Sequence, residues 1–376
     1  MPKERAPLQI PMQKLLIGLV LTVIPISLAG LLAIHSTERS LQADTGRHFK
    51  TISEGAAVEV SNLVHGLVRS LGAIAIEPEI VGAAAASDRT YEGLTEAAIS
   101  ERIQKTEKAW NTPAGAAETK AVLSSPAAQL LRRHKDLDRR ILRVTVTDEK
   151  GATVAATHKT EDYYQGDEEY WQNIYASGRG AISITDILFD AVTKSYYIGV
   201  GLPLMDPASN RFLGTMDVLV DVSSLHSIVN RVQVGPTGRM LLVKDDGTVI
   251  ASPTATLADR LKSEEYAAVT EMLASLQGRQ TGYVVADVRG GTRTLIGFAD
   301  TGLRADYGKL GWVILLAQDA REAFAATRMV VRLMAFMAAV GIIGVTLLAM
   351  YFSLHKRQDI VDLHELKSEA RSSHAG

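Results

Sequence analysis

The 376-residue chain contains no cysteine. Disulfides, thiolate nucleophiles, iron–sulfur clusters and zinc–cysteine sites are therefore excluded together. An oxidising compartment fits this absence without being required by it. Neither sign of charge is in excess: 40 Lys+Arg face 42 Asp+Glu, a formal net of −2. A nucleic-acid partner needs a basic surplus, so none is expected. Catalytic signatures are missing as well. The 9 histidines are dispersed, with no H-E-x-x-H pair. Gly199-x-Gly201 lacks the third glycine of a dinucleotide loop, and no phosphate-binding P-loop occurs. Ser353-Leu354-His355-Lys356 matches S-x-x-K, but it has no partner motif and sits at the edge of an apolar run. No enzyme, no cofactor and no metal site is expected.

What the chain does have is apolar sequence, 47% of its residues, and its excess sits in two places. Leu15 to Ile34 is a 20-residue run without a charge, and Leu333 to Leu354 is a run of 22. At about 1.5 Å per residue, either run crosses a hydrocarbon core of about 30 Å. A cleaved signal peptide is the rival reading of the first run. Lys3, Arg5 and Lys14 would suit it, but its apolar core spans only about 7–15 residues and an A-x-A site follows. The greater length and the missing site favour an uncleaved anchor. The second run ends at His355-Lys356-Arg357, as a membrane span does and a buried core helix does not. Basic residues flank both outer ends, which puts both termini in the cytoplasm and residues 35–332 outside.

The outside segment opens with a helical pattern. Val60, Val64, Leu67, Leu71 and Ile74 recur at spacings of three and four. No proline interrupts Ser36 to Ile76, so one helix can continue as a stalk and stop before Pro78. The apolar stripe has two uses. It can pair two copies as a homodimer, or pack on the chain's own sheets. Tyr91–Trp110 and Ala127–Lys135 read as further helices. From Arg140 the period becomes two, and strands are expected over 140–146, 152–157, 181–185, 195–204 and 212–220, closed by a helix at 223–229. A shorter copy follows, with strands over 240–243, 248–251, 282–288, 293–298 and 311–317. VTVTDEKGATVAAT stands beside LLVKDDGTVIAS, and LGTMDVLVDV beside LGWVILLAQD. Two tandem antiparallel-sheet α+β units are implied. Asp319 and Glu322 then offer a capping-box start for a helix running unbroken into the second span.

With two bracketing spans, a long first helix and two PAS-like units, the chain resembles the double-Cache sensor region of bacterial chemoreceptors and sensor histidine kinases. The resemblance covers roughly residues 36–328. GDEEYWQNIYASGRG (166–180), ITDILFDAVTKSYYIGVGLPLMD (184–206), LGTMDVLVDVSSL (213–225) and LGWVILLAQD (310–319) carry it. It implies a bacterial inner-membrane protein of α+β class. The expected layout is a cytoplasmic N-terminus (1–14), a span (15–34), a stalk helix and helical connection (35–139), a membrane-distal unit (140–230), a membrane-proximal unit (231–319), a connecting helix (320–332), a second span (333–354) and a cytoplasmic tail (355–376). It also implies a ligand on the sheet face of the distal unit. The amino-acid-binding branch carries an aromatic, an arginine, a Trp-Tyr pair, a Tyr-x-Asp and a strand aspartate. By spacing these fall on Tyr163, Glu168, Tyr170-Trp171, Leu188-Phe189-Asp190, and Asp217 or Asp221. Glu168 replaces the arginine that anchors an α-carboxylate, the aromatic pair is reversed, and Leu188 replaces a tyrosine.

Alternation alone also points to a site. Thr215, Asp217 and Asp221 share one face of their strand with Leu213 and Leu219, while Phe212, Gly214, Met216, Val218 and Val220 face the core. On the neighbouring strand, Tyr197, Gly199 and Gly201 oppose Tyr196, Ile198 and Val200, and bare glycines beside a tyrosine leave concave space. The candidate binding residues are Tyr163, Glu168, Tyr170, Trp171, Asp190, Tyr197, Asp217 and Asp221. The bland reading of each is a solvated face, a packing aromatic or, for Asp221, a turn residue. Asp167, Glu168, Glu169, Asp186, Asp190, Asp217 and Asp221 gather without a clear counter-cation, although Arg179 and Lys194 are near in sequence. Such a pocket favours a cationic amine over an anion. The function expected is that of a receptor for a small extracytoplasmic solute, its output lying in a signalling partner or in further C-terminal sequence. A membrane-tethered solute-binding subunit without signalling of its own is the alternative.

Overall fold

The first apolar run and the stripe beyond it belong to one helix, α1 (Met12–Ala75), which passes through Pro25 without ending. The structure, a computed structural model, describes residues 12–190, 195–275, 281–288 and 291–372. Two compact units form. One is Gly46–Ala320; the other joins the chain up to Thr45 with the chain from Arg321. Helices over Val20–Ala75 and Ala325–Leu348 contain windows long and apolar enough to cross a membrane, with neither window buried.

In the Gly46–Ala320 unit, Val60, Val64, Leu67 and Leu71 are at most 2% exposed and Ile74 is also buried. Each such side chain contributes about 1.5–3 kcal/mol when fully buried. The stripe is thus spent on the chain's own fold and offers a second copy no free apolar face. Four helices follow: α2 (Pro78–Arg89), α3 (Glu96–Trp110), α4 (Ala116–Ser124) and α5 (Pro126–Leu137). Pro78 opens α2 at its first turn, where a missing N–H costs nothing. Thr95 caps α3 by accepting from the Ala98 N–H, and Ser125 caps α5 through Ala128. Tyr91 lies in the turn before α3 rather than inside the helix.

The distal sheet contains β1 (Ile141–Thr147) and β2 (Thr153–Ala156). After helix α6 (Glu169–Tyr175) come β3 (Ser183–Ile184), β4 (Leu188–Asp190), β5 (Ser195–Met205) and β6 (Phe212–Asp221). Its order is β2-β1-β6-β5-β3, with β4 also on β5, and every pairing is antiparallel. Helix α7 (Ser224–Arg231) leads to the proximal sheet. That sheet contains β7 (Arg239–Lys244), β8 (Val249–Ala251), β9 (Thr281–Val288), β10 (Thr292–Asp300) and β11 (Trp312–Asp319), with α8 (Glu264–Ser275) and α9 (Leu303–Tyr307) between strands. Its order, β8-β7-β11-β10-β9, repeats the distal plan: a first hairpin whose leading strand pairs the last strand of its unit. The letter repeat therefore aligns β1 with β7 and β6 with β11. After Asp319 come α10 (Ala320–Ala323) and α11 (Ala325–Ser372), separated by a turn at buried Phe324 instead of running unbroken.

A bulge alters one expected face. Leu204 pairs Gly214, but Met205 pairs Phe212, so the register shifts between them. Phe212 is carried to the face of Pro203 and Gly201, away from Met216 and Val218, and its ring meets those of Trp171 and Tyr175. Gly214 makes this possible. Its φ is +151°, and a Cβ there would stand 2.0 Å from the Thr147 carbonyl oxygen. Gly214→Ala is expected to lower unfolding free energy by about 1–3 kcal/mol. Gly82→Ala in α2, with open space around it, is expected to raise it by up to about 1 kcal/mol. Denaturant titration of both variants in detergent checks the pair; an unchanged midpoint for Gly214→Ala would show that the bulge does not need glycine.

Candidate functional site

One transverse row of the distal sheet brings the site together. Ala156 pairs Thr145, Thr145 pairs Asp217, and Asp217 pairs Gly201, so their side-chain positions share a face. The next rows on that face are Arg143–Leu219–Gly199 and, beyond them, Asp221–Tyr197. Helix α6 lies over the same face. Ile174 sits over Gly201, where a Cβ would come within 2.3 Å of its Cδ1. Trp171 Nε1 donates to Thr147 Oγ1 at 2.9 Å, and that oxygen is 2.9 Å from Thr215 Oγ1. Over Gly199 stands Thr185, whose Oγ1 accepts from the Gly199 N–H at 2.7 Å. The two glycines therefore do not leave open space, as their bareness suggested. They let an isoleucine and a threonine approach the sheet.

Asp217 is what remains uncommitted. It is partly buried in the middle of β6, and its carboxylate makes no hydrogen bond among the described residues. Burial pushes its carboxyl up to about 7, offset in part by the nearby Arg143 guanidinium. Arg143 is exposed, is one row away and makes no bond to it. Tyr170 lies within reach of the Asp217 charge. Burial, and next the Asp217 charge, push its phenol up. Its hydroxyl donates to Gln165 Oε1 at 2.5 Å, and Gln165 Nε2 in turn donates to the Asp162 carbonyl at 3.1 Å.

The other expected residues have varied placements. Trp171 is 4% exposed, hydrogen-bonded and stacked on Tyr175 at 4.9 Å, so it packs the sheet rather than lining open space. Tyr163 packs on Trp110 with ring centroids 5.3 Å apart, while burial raises its phenol to about 12. Glu107 fixes its backbone by accepting from the N–H groups of Tyr163 and Tyr164, each at 2.8 Å. Glu168 is exposed at the start of α6; slight burial and the charges of Asp162, Asp167 and Glu161 push its carboxyl up. Tyr197 is half-buried, paired in register with Asp221. Asp221 accepts from the Ser223 N–H at 2.6 Å and turns the chain toward α7. Asp190 closes β4; its side chain lies outside the described residues, as does Lys194.

Two acids expected to be unopposed are opposed. Asp186 Oδ2 accepts from Lys244 Nζ at 2.6 Å, and Asp186 Oδ1 from Trp312 Nε1 at 3.2 Å. Lys244 and Trp312 are register partners on β7 and β11, so the loop before β4 is fastened to the proximal sheet. Lys309 pairs Glu169 at 2.9 Å. An acidic rim still remains, in which Glu161, Asp162, Asp167 and Glu168 repel one another.

The model of the Cache domain in its double form, dCache_1, matches residues 37–327, more than half of the chain. The chain belongs to the double-Cache family. Double-Cache domains are extracytoplasmic, and here two candidate apolar helices flank the domain. No curated protein matches the chain. Among solved double-Cache structures, the ligand-binding domain of the Pseudomonas aeruginosa amino acid chemoreceptor PctC, in complex with GABA, is 15% identical. It covers 73% of this chain and 100% of its own, with a TM-score of 0.46. That of the Campylobacter jejuni chemoreceptor Tlp3 with L-norvaline is 12% identical over 76% of this chain and 94% of its own, at 0.47. That of the Pseudomonas fluorescens chemoreceptor CtaA with L-leucine is 13% identical over 76% and 99%, at 0.43. These relatives are sensory ligand-binding domains of receptors.

Asp217 gives this double-Cache domain a pH signature. The unfolded chain loses the Asp217 proton near the ordinary value of 3.8 and the folded chain near about 7. Folding stability therefore falls as pH rises through that window. At pH 8, Asp217→Asn is expected to raise unfolding free energy by on the order of 1–3 kcal/mol, with no gain at pH 3. Denaturation at both pH values measures this. A loss of stability at pH 8 would show that the carboxylate is favourably paired.

Proposed function

We propose that this chain is a membrane-anchored receptor that binds a small cationic amine outside the cytoplasm at Asp217. Its signal crosses the membrane to an output in a partner protein or in further C-terminal sequence. One observation carries the ligand class: a partly buried carboxylate on the sheet face, without a hydrogen-bond partner among the described residues, beneath an acidic rim. An ammonium group would neutralise that charge, and the Tyr170 ring would add a cation–π contact of about 0.5–2 kcal/mol. Trp171, Glu168 and Asp221 act as packing, rim and turn residues in this reading. No step of it calls for catalysis.

A signal route is supported by the chain's own connections. Loop 185–187 touches the ligand face through Thr185 and the proximal sheet through Asp186. Strand β11 of that sheet continues directly into α10.

The test is a thermal shift of the full chain in detergent with ethanolamine and putrescine, because a ligand of the folded state raises the melting temperature. Both amines are expected to stabilise the protein, and Asp217→Asn to abolish the shift. Affinity should rise about tenfold per pH unit below 7 and level off above it. An amine shift that survives Asp217→Asn would sink the assignment. For the membrane layout, protease added to spheroplasts is expected to digest residues 35–332 and spare tags at both termini. Loss of either tag would overturn it.

A further inference from the structure

We propose that the distal module carries a second binding site, for a small organic polyanion of the di- or tricarboxylate class. It lies in the cleft formed by α4, α5 and the segment after β2. The cleft is broadly open to solvent and offers about 540 Å³, a volume in the range of about 300–1,000 Å³ usual for small-molecule sites. Lys120 from α4, Arg132 from α5 and Lys159 from the segment after β2 all line it, and no acidic side chain does. None of the three has an acidic partner among the described residues. The charges come from three separate stretches of chain, so this is not one run of basic sequence placed on the surface by default.

Three like charges around one cleft repel each other, and apolar walls sharpen the field between them. Trp110 and Leu123 supply those walls. Two of the cations are held in place. Arg132 Nη1 donates to the Leu123 carbonyl at 2.6 Å, which fixes the guanidinium plane and leaves its other N–H groups for a ligand. The Lys159 ammonium stands 5.9 Å from the Trp110 ring centroid, within cation–π reach. A polyanion relieves the repulsion at all three groups at once, whereas a neutral or cationic solute relieves none of it. The lining includes no residue of the Asp217 row, so this site and the amine site stand or fall separately.

Citrate titrated calorimetrically into the full chain in detergent tests the proposal, with succinate and heparin as comparison probes. Citrate is expected to bind saturably, more tightly than succinate, and to weaken as salt is raised. Lys159→Gln and Lys120→Gln, both at exposed positions and neither breaking a salt bridge among the described residues, are each expected to weaken citrate at least tenfold. Arg132→Gln is expected to abolish it. The amine shift should persist in all three, and citrate binding should persist in Asp217→Asn. The proposal is overturned if citrate does not saturate, if both lysine variants bind it as the parent does, if Asp217→Asn removes it, or if only heparin binds.

Discussion

The antiparallel pairing of β1, β6 and β5 is the constraint from which the distal face follows. Because side chains alternate along a strand between bulges, fixing Thr145, Asp217 and Gly201 in one row fixes the faces of their neighbours as far as the register shifts at Met205 and Ile141. The same register puts Val218 and Val220 into the core beside Ile198 and Val200. A slip of one residue would bury Asp217 among valines and expose the core. Retaining a charge in the middle of that strand costs stability, and the cost is tolerable only because the register delivers it to the one face that is not entirely closed.

Much of this was written in the sequence because strands announce themselves locally. Period-two apolar residues and the Asp-Glu-Lys-Gly and Asp-Asp-Gly turns located both first hairpins, and the letter repeat matched strands that the sheets use in the same order. Short or weakly patterned helices were not legible. Helix α6 has only seven residues, too few for a period of 3.6 to declare itself, and it ends at Ala176 in a left-handed conformation that no glycine signals. Helix α2 is largely alanine, with little contrast between its faces.

The site was half legible for a related reason. A lone aspartate inside an apolar strand is conspicuous, and alternation assigns it a face. Alternation does not say what lies over that face. Ile174 and Thr185 cover Gly201 and Gly199 from segments whose approach depends on tertiary packing, so glycines read as space turned out to be points of contact. Arg143 escaped notice because it meets Asp217 only through β1–β6 pairing, which no short-range pattern specifies. Phe212 changed sides for the price of one bulged residue, and the glycine that permits it carries no mark of its conformation in the letters.

The fastening of Asp186 to Lys244 and Trp312 has a thermodynamic corollary. The loop that carries Asp186 also carries Thr185, which lies over the sheet face of the Asp217 row, the proposed site. Two surfaces that bias the position of one shared element are linked by a single coupling free energy, and such a coupling is reciprocal. Whatever a bound solute does to the proximal sheet through that loop, a constraint imposed on the proximal sheet must do, by the same factor, to the affinity for the solute. In the proposed receptor, sensitivity is then not a property of the Asp217 face alone: it is set jointly by whatever the far end of β11 is attached to.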